Sequence, residues 1–457
     1  MEESVGGGSM KCKILCLLFV FFPLSGWALD YDVVVVGGGL SGLVATQSLM
    51  YDKRVLLVEE NDRLGGRIDT QIWNGNSIEN GAEFINSTDH RIMALVKKFG
   101  LKLVPLNRSR QGTVFIMGGA IYSYKELEAR FFLENRESIQ RLMEDKVPEG
   151  TSVQEVVDRF QFSDWGRELV KMVLFSELGK SLKRIDAKEL MHYFSFDVEN
   201  SQIHLSPYTD ENYKLLGGTE RLTRAMAGSI PHQIIRKNTK LLKVVMGEGR
   251  FQLILKNGHR VSRVTARDLV LAIPPDKLTD VDFSVEENTL SRVVKISNMT
   301  AARTSKMYLR FKSPIWRKYG FTGAGWSSKG FSFIHVSVNQ PLQEPMLLIY
   351  SGLLSRYMEK KDYLDLVLRE LESVFPGVEK EFIDYKLFEF ETSYFGHQEI
   401  GLAHKSLIKE VRELPFYMVG DGMSIEHTGY MEGAIESAQR VANSITGRWS
   451  LCRLGFD

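Results

Sequence analysis

The chain has little cysteine: three residues in 457, at Cys12, Cys16 and Cys452. The first two fall in an N-terminal apolar leader. One thiol beyond it excludes an internal disulfide and a cysteine-based zinc cluster. An excess of charge of one sign is also missing. Lys and Arg total 58 against 57 Asp and Glu, a formal net charge of +1, which gives no ground for a nucleic-acid partner or an anionic membrane surface. There is no internal repeat, low-complexity tract or long linker. His90 and His397 have no partner at metal-ligating spacing, so no metal is expected. No His/Asp pairing suggests an acid–base dyad. What remains is the composition of a soluble globular enzyme, 44% hydrophobic and 25% charged. The length exceeds one core and predicts two domains.

Long apolar runs are scarce as well. Lys11 and Lys13 precede Ile14 to Phe22, then Pro23 and the small-residue end Gly26-Trp27-Ala28. This is the order of a secretory signal peptide over 1–28, and it predicts export to a periplasm or the exterior. An uncleaved membrane anchor is the alternative, although the run is short for a spanning helix. Met1 to Ser9 are acidic and glycine-rich, unusual before such a leader, so Met10 is a second candidate start. Three triplets fit N-glycosylation: Asn86-Ser87-Thr88, Asn107-Arg108-Ser109 and Asn298-Met299-Thr300.

The most informative stretch follows the leader. Val33 to Val36 form a β-branched run expected to be a strand buried on both faces. Gly37, Gly39 and Gly42 then supply G-x-G-x-x-G at a strand-to-helix turn. Gly37 permits the turn, Gly39 admits a pyrophosphate to the backbone, and Gly42 lets helix and strand approach. Leu40 and Ser41 open the helix whose positive end faces the phosphates. Val55 to Val58 make the next strand, and Glu59, with Glu60 beside it, is placed to meet ribose hydroxyls. Strand, helix, strand and acid in one register predict a dinucleotide site.

Further along, 90–105 reads as helical, and 125–200 as a run of amphipathic helices with solvated charges. Gly217-Gly218-Thr219 precedes a helix over 220–227. Residues 233–271 read as strands with a hairpin at Asn257-Gly258. A buried strand runs into Pro274-Pro275, and 305–352 is strand-like and aromatic. A helix covers 363–375. A last strand, 416–419, leads to Gly420-Asp421 and a final helix. This order predicts an α/β fold: a Rossmann-like nucleotide-binding domain from 29–85, 212–295 and 401–457, interleaved with an α+β substrate domain from 86–211 and 296–400.

Several of these motifs together resemble the flavin-dependent amine oxidase family, which includes monoamine, polyamine and L-amino-acid oxidases. They are Arg63-Leu64-Gly65-Gly66-Arg67, Gly81-Ala82-Glu83-Phe84, Gly217-Gly218-Thr219, Val270 to Pro275, and Gly420-Asp421 with His427-Thr428-Gly429-Tyr430-Met431-Glu432-Gly433-Ala434. The resemblance implies FAD rather than NAD. Gly65, Gly66 and Arg67 would lie along its phosphates, and Gly81, Ala82, Glu83 and Phe84 beside its ring. Pro274 belongs to the same cofactor domain. Asp421 would meet the ribityl or phosphate-linked groups, with a helix N-cap as its plainer role. The Met431 N–H would meet a flavin carbonyl. Lys306 falls where the family holds a water against flavin N5. Alternating polarity in Lys306 to Lys312 also allows it to line the wet face of a strand. Tyr430 falls at one wall of the family's aromatic cage, or is a structural residue at a helix start.

The departures matter equally. Gln398 stands where monoamine oxidases have a flavin-linking cysteine, so FAD is expected to be non-covalent. Glu399 stands where the second cage ring would be and hints at diamines, unless it is a surface residue. Amino-acid oxidases often carry a carboxylate-binding arginine shortly after the position of Gly81; here that stretch is Glu83-Phe84, which disfavours an amino-acid substrate unless another arginine serves. The expected activity is oxidation of an amine C–N bond to an imine, with O2 giving H2O2. Amino-acid oxidation, desaturation and a flavin-binding protein without turnover remain as rivals. The expected partners are a small amine and O2, no nucleic acid, and a membrane only if the leader is retained.

Overall fold

In the computed structural model, residues 28–106, 112–148, 150–178, 180–205, 212–247, 249–299, 301, 304–321, 324–329, 331–337, 344–351, 358–390, 404–424 and 426–447 are described. Two large sheets organise them. The first has eight strands and is centred on Tyr31–Val36, which pairs in parallel with Val55–Val58 on one side and Arg260–Leu271 on the other. Val36 lies opposite both Val58 and Leu271, so three strand ends meet at the loop that begins with Gly37. Arg260–Leu271 continues antiparallel to Arg250–Asn257 along its first part. It takes Tyr417–Met418 as a parallel partner at its end. The sheet therefore gathers strands from near both ends of the described chain.

The valine run explains itself in this setting. Val33 and Val35 pack with Leu43, Ala45 and Ile435 in one layer. Val34 and Val36 pack with Leu253, Leu269 and Phe416 in the other. Alternate side chains enter opposite cores, so both must be apolar. Full burial of each contributes about 1.5–3 kcal/mol. The helix Leu40–Leu49 lies on the first layer, packed against Met431–Thr446, and nearly all of its residues are buried. That explains why it lacks a polar stripe.

The second sheet has seven strands in the order Phe382–Phe390, Thr304–Phe311, Met346–Ser351, Phe333–Val336, Ala324–Ser327, Val114–Met117, Ala120–Ser123. One face packs on Lys360–Val374 through Tyr363, Val367 and Leu371. Phe115 and Trp326 pack instead into the helical block between 124 and 193. Two helices of that block start at capping boxes, Ser123 with Glu126 and Ser152 with Glu155, each pairing side chain and backbone reciprocally.

Two elements depart from expectation. Within 125–200, read as helices, Phe194–Asp197 is a strand pairing with Gln202–Leu205. The helix at 90 ends at Lys98, and Leu103–Pro105 is a short strand pairing with Tyr213–Leu215. Gly100, at φ +63°, ends the helical path. No helix among the described residues is long and apolar enough to cross a membrane.

Candidate active site

A cavity of about 950 Å³ lies between the two sheets. Its first part is built by the loop after Tyr31–Val36. Gly37, Gly39, Leu40, Ser41, Glu59, Glu60, Gly65, Gly66 and Arg67 all line it. Gly42 does not. A Cβ there would stand 1.9 Å from the Gly37 carbonyl oxygen, so its hydrogen is what allows helix and loop to touch. The helix Leu40–Leu49 begins at Gly39 with no side-chain cap, which leaves its first amides to a ligand. Glu59 is buried with both oxygens engaged: Gly38 N donates to Oε2 at 2.7 Å, and Asn61 donates to Oε1 from its backbone N at 2.9 Å and its Nδ2 at 2.8 Å. A carboxylate retains lone pairs beyond these, so it can still accept from a ribose.

The second glycine motif closes over the first. Gly65 N donates to Gly38 O at 2.8 Å. Gly81 sits against Arg67, where a Cβ would be 2.0 Å from the Arg67 carbonyl oxygen, and Ala82 N donates to that oxygen at 3.1 Å. This contact brings Gly81, Ala82, Glu83 and Phe84 to the cavity wall. Arg67 Nη1 and Nη2 donate to the two oxygens of Asp421 at 2.9 and 2.5 Å. Both side chains line the cavity, and their fork joins loop positions 354 residues apart. The side chain of Asp421 is thus an ion-pair partner rather than a helix cap. Gly420 does not line the cavity; its N–H meets Ser437 Oγ at 3.0 Å. Pro274, Gly429, Tyr430 and Met431 do line it, and the helix Met431–Thr446 turns a second N-terminus toward the space.

Lys306 is where the two halves meet. It lies on Thr304–Phe311, opposite Tyr350 and Phe388. It is 6% exposed, which rules out the wet strand face. Its Nζ donates to Gly81 O at 2.7 Å, to Glu83 Oε2 at 2.8 Å and to Glu79 O at 3.4 Å. An ammonium has three protons, and these three oxygens engage them all, the Glu79 contact being the longest. Burial alone would raise the Glu83 carboxyl; the charges of Lys214 and Lys306, with His335 adding to them, outweigh it and hold Glu83 well below the usual carboxylate range. Burial, and then the charge of Glu83, pushes Glu79 up to about 7. Burial pushes the Tyr308 hydroxyl well above its ordinary value, so it stays a donor, reaching Glu79 O at 3.1 Å and Glu83 Oε2 at 3.3 Å.

Beyond Lys306 the lining turns aromatic, with Phe84, Tyr124, Tyr193, Trp326, Phe333 and Tyr350. Trp326 stacks on Phe115 at 5.1 Å, and Phe333 lies 4.9 Å from Trp326. Sequence reasoning missed Glu79, Lys214, Tyr308, Tyr350, Trp326 and Phe333. Nothing local marks them; only pairing between distant strands brings them together. Gln398, Glu399, His397 and Cys452 lie outside the described residues. So do Asn107 and Thr300, which belong to two of the glycosylation triplets. The third triplet is corrected: Asn86 is 5% exposed and faces the cavity, so it offers no glycan site. His90 is exposed at a helix start. Among the described residues no group of three or more His, Cys, Asp or Glu is placed to hold a metal ion.

The arrangement fits a flavin dinucleotide. An uncapped helix start and glycine cradle suit the diphosphate, a buried acid suits the ribose, and the cavity runs on past a lysine to an aromatic end. The family described as flavin containing amine oxidoreductase matches residues 40–446. The chain belongs to this family. It is 20% identical to a flavin-containing amine oxidase of Oncorhynchus mykiss, over 91% of this chain and 85% of that one. It is 22% identical to a putrescine oxidase of Kocuria rosea, over 67% and 69%. The fold is shared with cyclohexylamine oxidase from Brevibacterium oxydans IH-35A, with TM-score 0.74 and 18% identity, covering 92% of this chain and 100% of that one. In this member of the flavin amine oxidase family, the residues above are those that would hold the cofactor.

Proposed function

We propose that the chain oxidises an apolar monoamine, with non-covalent FAD and with O2 as electron acceptor. When bound, FAD supplies the two-electron chemistry: amine, O2 and water give an aldehyde or ketone, ammonia or a smaller amine, and H2O2. The observation that carries this reading is the single cavity joining the glycine cradle to an aromatic end at Lys306. The described lining residues from the substrate half are Asn86, Thr113, Tyr124, Ser176, Tyr193, His204, Leu205, Thr304, Lys306, Ala324, Trp326, Phe333, Tyr350 and Phe390. None is Asp, Glu or Arg. Glu83 also lines the cavity, but its two oxygens are paired with Lys214 and Lys306, so a second ammonium on a diamine and the carboxylate of an amino acid both lack a dedicated carboxylate or guanidinium there. Rings and alkyl groups are what such walls bind, and they favour the neutral, reactive form of the amine by excluding water. Tyr430 is the ring we place against the reacting carbon, and Lys306 the cation we place beside the reactive edge of the cofactor.

A peroxide-coupled screen tests the reading. Benzylic and alkyl monoamines are expected to release H2O2, with diamines and amino acids slower. Amino acids turning over fastest would overturn the substrate class. Diamines turning over fastest would point to Glu399, the one specific feature favouring them. Acid precipitation is expected to leave the yellow colour in the supernatant, since Gln398 replaces the linking cysteine. Export with cleavage after Ala28 is proposed on the leader's charge and apolar pattern; N-terminal sequencing of the mature chain checks it.

A further inference from the structure

Glu83 is ion-paired twice. Lys306 Nζ stands 2.8 Å from Oε2 and Lys214 Nζ stands 2.5 Å from Oε1. All three side chains are at least nine-tenths buried. Oε2 also accepts from Tyr350 OH at 3.0 Å and Tyr308 OH at 3.3 Å. The two lysines arrive from different elements. Lys306 belongs to the seven-stranded sheet. Lys214 belongs to the short strand Tyr213–Leu215, three residues before Gly217. Lys306 lines the cavity; Lys214 does not, and lies behind the wall with Nζ 5.9 Å from the centre of the Phe84 ring.

A single buried lysine–carboxylate pair carries no net charge. In a site of low dielectric its proton can also pass to the carboxylate and leave two neutral groups. A second lysine on the same carboxylate changes both properties. Two ammonium groups and one carboxylate sum to one positive charge, and a carboxylate held by two cations and two hydroxyls is a poor acceptor for a further proton. We propose that Lys214 is a positioning residue: by holding Oε1 of Glu83 it fixes Lys306 as an ammonium at the cavity wall and leaves one net positive charge beside the flavin site. The inference rests on the proposed placing of Lys306 beside the reactive edge of the cofactor. The other titratable groups facing Glu83 are Glu79, Tyr308, Tyr350 and His335. Of these, Glu79 is the one whose ionisation would cancel the extra charge.

The test is the midpoint potential of the flavin in the purified holoprotein. Lys214→Met removes one positive charge, so reduced flavin loses stabilisation. The reduced-to-oxidised ratio at a fixed potential is expected to fall about tenfold or more, equal to a shift of about 30 mV or more in the negative direction. Lys214→Arg keeps the charge and is expected to stay within about threefold of the parent. The potential of the parent is expected to fall as Glu79 ionises, and more steeply than in Glu79→Gln. A Lys214→Met protein with the parent's potential, or a Lys214→Arg protein behaving like Lys214→Met, overturns the proposal. Where Lys214→Met fails to hold flavin, Glu83→Gln carries the same test with the opposite sign: removing the anion must shift the potential positive, and an unchanged or more negative potential overturns the proposal. The measurement needs bound flavin but no turnover. A parent without amine oxidation that shows this pattern of shifts defeats the proposed activity alone, and an active parent without it defeats the role of Lys214 alone.

Discussion

The two ends of the cavity are built by different means. At the nucleotide end, the grip comes from main chain: the loop at Gly37–Gly42, its neighbour at Gly65–Gly66 and the end of one helix. At the aromatic end it comes from side chains set on strands far apart in the chain, such as Trp326, Phe333 and Tyr350. Main-chain grips tolerate little change because no side chain can be repacked to relieve a clash. Side-chain walls can be varied one ring at a time. The nucleotide end thus leaves little room for substitution, and the aromatic end is where we place substrate preference.

The comparison can be broken most forcefully at Gly42. Gly42→Val puts carbon where only 1.9 Å separates a Cβ from the Gly37 carbonyl oxygen. The loop must open, at a cost of about 3 kcal/mol or more. Flavin binding is expected to weaken by roughly 100-fold, read from the yellow absorbance retained after gel filtration. Retained colour at parent level would show that the loop is softer than its geometry implies.

Lys306→Met strikes where the two ends join. Loss of a preorganised cation beside the reacting centre is expected to slow anaerobic flavin reduction or its reoxidation by roughly 100-fold. The protein should remain yellow, because Lys306 makes no part of the glycine cradle. Stopped-flow traces equal to the parent's would remove Lys306 from the chemistry.

Glu79 gives a pH signature of the same junction. Its carboxyl is raised to about 7 in the folded chain against an ordinary value of 4.5. Between these values the folded chain binds more protons than the unfolded one, so stability falls as pH rises across that window. The slope is at most about 1.4 kcal/mol per pH unit. Below 4.5 both states hold the proton and the contribution is fully present. Glu79→Gln should flatten the decline in thermal midpoint between pH 4.5 and 7; an identical decline would place its origin elsewhere.

Phe333→Ala sharpens the contrast with the smallest effect. Removing one ring from the aromatic end should raise KM for an arylalkyl amine by roughly tenfold, the worth of about 1.4 kcal/mol of apolar burial. Flavin binding should be unchanged. A variant that lost flavin as well would erase the distinction between the two ends.

Legibility follows the same division. The strand at Val33, the glycine turn and Glu59 could be read directly, because a phosphate grip is made by residues close in sequence. The helix that follows Thr88 and Asp89 is harder to bound. Leu101 and Leu103 continue its apolar rhythm past Lys98, although Gly100 has already turned the chain. Lys306, Gly81 and Glu83 could be picked out only through a family likeness, and their contact with one another, with Lys214 and with Tyr350 not at all.

The sequence alone determined that this protein has a glycine-rich cradle after its first strand, that this strand is buried on both faces, and that Cys452 is the one cysteine after residue 28. Those properties follow from local spacing and residue type. Tertiary structure decided which groups face Lys306. Glu83 lies 223 residues before it, and Tyr350 pairs with that same Glu83 across 267. Electrostatics acts through space, so the charge and polarity of the junction existed only once the two sheets had closed around it.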